Sequence, residues 1–235
     1  FPPLFSDKRR MSTRLIPHSL LPLLLCLFAL PVRSQTTVLP SREDTQSWNE
    51  LQLIVPLKKQ LDLIFIGVLR LGRNISHPVD ERIGAGLAFK VNKYVTFTPT
   101  YIYLAQQPWP NRKNFEHRLI PNLTVRFPVG KFNVTDRNLF EWRVRHALKD
   151  FFMYRNRLQI DHPARIGDFD FRIFVADEVF YSGDLNQWWR NRVSTGISKQ
   201  FNKHFIGDFF YLYQHDGFAR PGNVHALGTF LRVIL

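Results

Sequence analysis

From residue 46 to the end of the chain, polarity changes at nearly every second residue. In 82–91 one set of alternate positions reads Ile83, Ala85, Leu87, Phe89 and Val91, and the other Arg82, Gly84, Gly86, Ala88 and Lys90. The same split runs through 115–127, where Phe115, Leu119, Leu123, Val125 and Phe127 oppose Glu116, Arg118, Asn122, Thr124 and Arg126. In 132–144, Val134, Phe140, Trp142 and Val144 oppose Arg137, Glu141 and Arg143. In 151–160, Phe152, Tyr154, Leu158 and Ile160 oppose Arg155, Arg157 and Gln159. A period of two marks a strand whose faces meet unlike surroundings. Segments 46–57, 61–72, 94–105, 169–181, 188–199, 204–214 and 224–235 bring the set to eleven. Each is about 10 to 13 residues long, the length of a tilted strand that crosses a bilayer. No apolar run after residue 34 approaches the roughly 18 residues of a membrane-spanning helix.

The phrase RIGAGLAFKVNKYVTFTPTYIY at 82–103 is answered by RVSTGISKQFNKHFIGDFFYLY at 192–213, with Arg82 matching Arg192, Gly86 matching Gly196, and Tyr101 and Tyr103 matching Tyr211 and Tyr213. Tight connections at Leu57–Gln60, Asn92–Lys93, Pro128–Lys131 and Asn202–Lys203 alternate with longer ones at 73–79, 106–114, 145–150, 182–187 and 216–223. Short turns on one rim and long loops on the other predict an all-β fold. It is a closed, antiparallel, up-and-down transmembrane β-barrel of about 10–12 strands, in which closure satisfies every backbone polar group. A soluble, lipocalin-like periplasmic binder also alternates, with its apolar face inward, and is the alternative. Against it, the polar faces mix Gly, Ala and Ser with Arg and Glu, and the last strand, HALGTFLRVIL, sets Leu227, Leu231, Val233 and Leu235 on one face. Two features strain the barrel. Single-chain bacterial barrels have even strand numbers, so either residues 35–45 add a strand or one segment is not a span. Pro99 and Pro121 fall inside predicted strands, where a missing donor implies a bulge or local break.

Composition changes the picture in two ways. Met11 opens MSTRLIPHSLLPLLLCLFALPVRSQ, whose apolar run Leu20 to Leu30 and flanking Arg residues read as a secretory signal peptide over 11–34. Residues 1–10 then read as an over-extended start, and 35–235 as the barrel domain. Of 32 Lys/Arg and 19 Asp/Glu, residues 1–34 take five basic (Lys8, Arg9, Arg10, Arg14, Arg33) and one acidic (Asp7), which leaves 27 against 18. For an exported chain, a basic surface points to outer-membrane lipids and lipopolysaccharide phosphate, with no nucleic acid. The one Cys, Cys26, lies in the leader, so the barrel domain has no disulfide and no thiolate metal site.

The phrases QSWNELQLIVPL, FEHRL, TDRNLFEWRVR, MYRNRLQI, ADEVFY, WRNRVSTGI and YLYQHDGFARPGNVHALG, in that order over about residues 46–235, resemble a bacterial family known only as a domain of unknown function and grouped with outer-membrane barrels. The resemblance implies an outer-membrane location and a barrel fold, and it brings no catalytic residues.

By parity, Arg70, Arg82, Glu116, Arg118, Arg137, Glu141, Arg143, Arg155, Arg157, Glu178, Arg190, Arg192 and Arg232 fall on the faces assigned to the lumen. The planar Arg fork can bridge several carboxylates at once, so these residues are expected to form a lumen-lining ion-pair network rather than an anion channel. Catalysis by a lipid-modifying enzyme would draw on His117, His146, His162, His204, His215 or His225 with Ser182 or Ser194. No pair of them has an enzyme signature, and His117 and His225 point outward by parity. No cofactor or metal is expected. Trp48, Trp109, Trp142, Trp188, Trp189, Tyr101, Tyr103, Tyr211 and Tyr213 read as an interfacial girdle. The sequence thus predicts an outer-membrane barrel with a structural or narrow-pore role, inserted by the outer-membrane assembly machinery. Its Lys-bearing turns would be periplasmic and its long loops outside.

Overall fold

The computed structural model describes residues 41–235; the expected leader at 11–34 and the expected over-extended start at 1–10 lie outside the described residues. The described residues form strands and no helix. In order these are β1 (Glu43–Lys58), β2 (Leu61–Gly72), β3 (His77–Lys90), β4 (Val95–Phe97), β5 (Thr100–Gln106), β6 (Asn114–Ile120) and β7 (Asn122–Val129). They continue with β8 (Phe132–Arg145), β9 (Phe151–Ile166), β10 (Phe169–Ser182), β11 (Gln187–Gln200), β12 (Phe205–Asp216) and β13 (Asn223–Ile234).

Thirteen strands make eleven staves among the described residues, because the two prolines each cut one stave in two. β4 and β5 follow one path on either side of Pro99, and β6 and β7 another on either side of Pro121. β4 pairs with β7, β5 with β6, and β8 with both β6 and β7. The breaks lie beside each other, where Thr98 and Asn122 exchange backbone hydrogen bonds at 2.7 and 3.2 Å. Proline lacks the donor but keeps the acceptor. The carbonyls of Pro99 and Pro121 accordingly still accept from Leu87 at 3.1 Å and Phe140 at 3.0 Å.

Eleven staves in an antiparallel meander bring the first and last together pointing the same way. β1 therefore pairs with β13 in parallel, in unbroken register from Glu43↔Asn223 to Ile54↔Ile234. This corrects the expectation of an even strand number and of antiparallel pairing throughout. No twelfth strand is needed, and none of the eleven segments is a false span. The seam is fastened at both ends. The Arg42 carbonyl accepts from Gly222 and Asn223 at 2.9 and 2.8 Å, and Leu235 donates to the Ile54 carbonyl at 3.0 Å. Midway, the Thr229 hydroxyl donates to Asn49 at 2.8 Å.

The pleat sorts side chains between two surroundings. Ile83 is 68% exposed on the outside and Glu141 is 0% exposed on the inside, the reverse of a water-soluble fold. The interior holds small apolar clusters as well as charge: Ile102, Leu104, Ile120 and Leu139 on one wall, and Trp48, Leu212, Val224 and Ala226 on another. The Phe210 ring also points inward and lies over Gly228 and beside Gly196. A Cβ at Gly228 would collide with that ring, and one at Gly196 with Phe210 and the Phe209 carbonyl. The two glycines thus make room for an aromatic in a narrow bore.

Short connections at 59–60, 91–94, 130–131, 167–168 and 201–204 form one rim, together with the end of β13. Those at 73–76, 107–113, 146–150, 183–186 and 217–222, longer on average, form the other. In the β2–β3 loop, Arg73, Asn74 and Ile75 all have positive φ. The Asp44 carboxylate holds this turn by accepting the amides of Arg73 and Asn74, each at 2.9 Å.

Candidate functional site

Toward the loop end of the strands, inward-facing Arg and carboxylate side chains form a layer across the bore. Glu141 sits at its centre. It accepts from Arg143 at 2.5 Å, pairs with Arg155, and has Arg118 at 3.6 Å. Arg155 also reaches Glu178 at 2.6 Å, and Arg192 approaches the other oxygen of Glu178 at 3.4 Å while donating to Gln214 at 2.8 Å. Arg118 pairs with Glu116 at 2.6 Å, and Arg190 pairs with Asp216 at 2.6 Å. On the far side Asp80 takes Arg82 at 2.6 Å, Gln106 at 2.8 Å and Arg70 at 3.7 Å. Aromatic faces fill the space left between these groups. Trp48 lies between Arg70 at 3.7 Å and Arg192 at 4.8 Å, and the Phe180 ring carries Arg155, Arg190 and Arg192 within 5.4 Å. Desolvated guanidinium and carboxylate groups persist only when compensated, and here each carboxylate serves two or more donors. Leu104, Met153, Glu141 and Asp216 are all 0% exposed, and Arg70, Arg155, Glu178 and Arg192 of the layer form the floor of the space on its turn side.

Ten of the thirteen residues assigned to the lumen meet in this layer: Arg70, Arg82, Glu116, Arg118, Glu141, Arg143, Arg155, Glu178, Arg190 and Arg192. Arg137, Arg157 and Arg232 lie nearer the turn rim. Arg232 pairs there with Asp208 at 2.5 Å, whereas Arg137 and Arg157 form no ion pair among the described residues. Sequence reasoning missed Asp80, Gln106, Gln214 and Asp216, together with Trp48 and Phe180 as inward rings. The signal for the acids was present: Asp80 keeps step with Arg82, and Asp216 with Gln214. The predicted strands began at 82 and ended at 214, but the hydrogen-bonded ladders run on to His77 and Asp216, and the partners fall in those extensions.

Below the layer the bore widens into a cavity of about 1200 Å³ that runs to the turn rim. Twelve Lys/Arg line it against six Asp/Glu. Lys90 pairs with Asp62 at 2.7 Å, Arg172 pairs with Asp161, and Arg165 pairs with Asp170 at the rim. The lining is sided. Thr96, Thr124, Thr135 and the Arg residues of β7 to β9 occupy one wall, while Ile54, Ile64, Ile66 and Val68 of β1 and β2 occupy the other.

The outer face is mainly apolar, with polar groups at several points. His117 is held by Tyr101 at 2.7 Å with its ring 5.2 Å from Tyr103, and His225 by Tyr211 at 2.6 Å with its ring 5.0 Å from Tyr213. The internal repeat therefore extends to a copied Tyr–His–Tyr cluster near the loop rim. In mid-strand, Asp136 accepts from Asn138 at 2.9 Å and from Asn156 at 2.6 Å, and Asn138 accepts from Tyr154 at 2.5 Å. Neither cluster supplies an activated nucleophile. Ser182 is buried and accepts from the Leu185 amide at 3.3 Å, and Ser194 is buried in the lumen. Ser76 and His77 are in contact at 2.7 Å, but the Ser76 hydroxyl donates to the Arg73 carbonyl, so Nδ1 of His77 must itself be the donor to Ser76 and cannot take its proton. Among the described residues no group of His, Cys, Asp and Glu could hold a metal ion.

A closed barrel with charge inside and large apolar side chains outside is the class these features define. Within that class the chain belongs to the family described as protein of unknown function (DUF2490), whose pattern it matches over residues 45–224. No curated protein matches the chain. Among solved structures it is similar to the NanC porin, with 10% identity and a TM-score of 0.47 over 77% of this chain and 93% of that one. It is similar to LpxR from Salmonella typhimurium, with 8% identity and a TM-score of 0.44 over 72% and 82%. It is also similar to an anion-selective porin from Comamonas acidovorans, with 11% identity and a TM-score of 0.39 over 75% of this chain and 54% of that one.

Proposed function

We propose that the protein is an outer-membrane barrel of a Gram-negative bacterium, exported by its signal segment, with a structural role and a salt-bridged lumen that does not conduct. The observation that carries this reading is the inverted distribution of side chains. Leu119, Trp142, Val175 and Leu227 are more than half exposed on the outer wall, while Glu116, Arg118, Glu141 and Arg192 are buried within. Water on the outside would leave that wall unfavourably hydrated, whereas hydrocarbon suits it. The lumen supports a closed barrel over a narrow pore, because Glu141 and Asp216 of the Arg–carboxylate layer are fully buried and Glu116, Arg118, Glu178 and Arg192 nearly so.

In this reading the short turns and Leu235 face the periplasm and the loops face outward, so that Arg112, Lys113 and Lys149 meet the phosphates of lipopolysaccharide. The apolar face of β13 is the segment offered to the assembly machinery. Planar-bilayer recording on the purified barrel tests the closed lumen: a silent bilayer is expected, and steady conductance steps that scale with salt concentration would overturn it. Fractionation tests the location, with detergent-dependent recovery from outer membranes expected and a free periplasmic protein fatal to the reading.

A further inference from the structure

The cavity below the layer contains two arginines, Arg137 and Arg157, that form no direct ion pair among the described residues. Arg137 and Arg157 stand directly opposite each other on β8 and β9, both facing the lumen. Like charges at such a pair are close enough to repel, and a fold that keeps them together needs an anion between or beside them. The nearby acids, Glu178 and Glu50, make no ion pair with them among the described residues. Glu178 stands opposite Arg157 on β10, but its oxygens are taken by Arg155 and Arg192. Arg157 donates only to the amide oxygen of Gln159 at 3.1 Å, and Nε of Arg137 is buried without a hydrogen-bond partner. Thr124 stands opposite Arg137 on β7 and adds a hydroxyl to the same wall.

Stave order says what this pair faces. β8 is five steps from β1 in one direction and six in the other, so Arg137 lies across the bore from the parallel seam. That wall carries Ile54, Ile64, Ile66 and Val68, continued by Phe210 on β12. Glu50 interrupts it. Its carboxylate accepts from Gln52 at 2.8 Å, forms no ion pair among the described residues, and would turn an anionic head away from β1 and toward the arginines. A bare inorganic anion would leave the apolar wall wet, and a neutral apolar ligand would leave the arginine pair uncompensated.

We infer that the turn-side cavity is a binding site for a single-chain amphipathic anion. Its phosphate or carboxylate head lies between Arg137 and Arg157, and its chain lies against the β1–β2 wall. Planar guanidinium forks suit either head. The inference rests on the closed-lumen reading only for its floor, and a barrel that conducts could still bind.

Isothermal titration of the barrel in nanodiscs, with empty nanodiscs subtracted, tests it using octyl phosphate and octanoate as probes. Inorganic phosphate and octyl glucoside are the head-only and chain-only controls. At least one of the two amphipathic anions should bind about tenfold or more tighter than either control. Which of the two binds separates a phospholipid-derived source from a fatty acid. An Arg137→Gln/Arg157→Gln double variant should lose at least about tenfold in affinity while keeping the heat-modifiable gel mobility of a folded barrel. Should that variant misfold, Thr124→Val with Ile66→Asn asks the same of head and chain separately, each weakening binding. Equal affinity for octyl phosphate, octanoate and both controls would overturn the inference, as would unchanged affinity in a folded double variant.

Discussion

The loop-side and turn-side halves of the lumen are built from the same alternating strands and much the same residue types, yet one is packed shut and the other is open. The difference lies in how acids are distributed among the arginines. In the loop-side layer Glu116, Glu141, Glu178 and Asp80 each sit between guanidiniums, Asp216 holds Arg190, and Trp48 and Phe180 fill the gaps. In the turn-side cavity the acids are outnumbered two to one, and the opposite wall is mostly aliphatic, broken by Glu50. An arginine-rich lumen is therefore not one kind of interior. It becomes solid where carboxylates interleave and stays a basic cup where they do not.

The comparison breaks most visibly at its strongest point. Glu141→Ala should remove the central carboxylate shared by Arg118, Arg143 and Arg155 from the buried layer and cost about 3–5 kcal/mol, seen as lost heat resistance on unboiled gels. A stability close to that of the parent would mean the layer is hydrated or not formed. Gly228→Ala acts through shape alone. The added methyl meets the Phe210 ring, and the expected loss is about 1–3 kcal/mol in denaturant unfolding from vesicles. The smallest effect belongs to the cup. Arg137→Gln removes a cation that forms no ion pair among the described residues and stands opposite Arg157, so the change should stay within about 0.5 kcal/mol or favour the fold. A loss as large as that of Glu141→Ala would erase the distinction between the two halves.

The pleat carried most of the fold in legible form. All eleven spanning segments are legible, four of them by a clear period of two, because those strands face hydrocarbon on one side and polar groups of the bore on the other. The closure was hidden. The rule of even numbers pointed to an antiparallel seam, and nothing in the residues of β1 or β13 marks the parallel pairing that an odd meander forces. Parity also misled locally. Asp136 and Asn138 interrupt the apolar side of β8 and were passed over between Val134 and Phe140, yet they anchor a polar cluster on the outer wall. Within the site, the arginines were easy to assign and their acids were not, since Asp80 and Asp216 sit where strands run past the expected ends. Which arginines would lack a partner depends on cross-strand register, and that is set by turns and bulges rather than by alternation.

Single-cysteine labelling tests the two-part lumen most directly, on a chain whose one native cysteine, Cys26, is in the expected leader. Thr135→Cys and Asn122→Cys place the thiol in the cup, and Ala176→Cys and Ser194→Cys place it among buried residues beside the layer. With a bulky water-soluble maleimide on the folded barrel in nanodiscs, the account predicts fast modification of the first pair and none of the second until the protein is unfolded. Equal labelling of Ser194→Cys and Thr135→Cys in the folded state would contradict it.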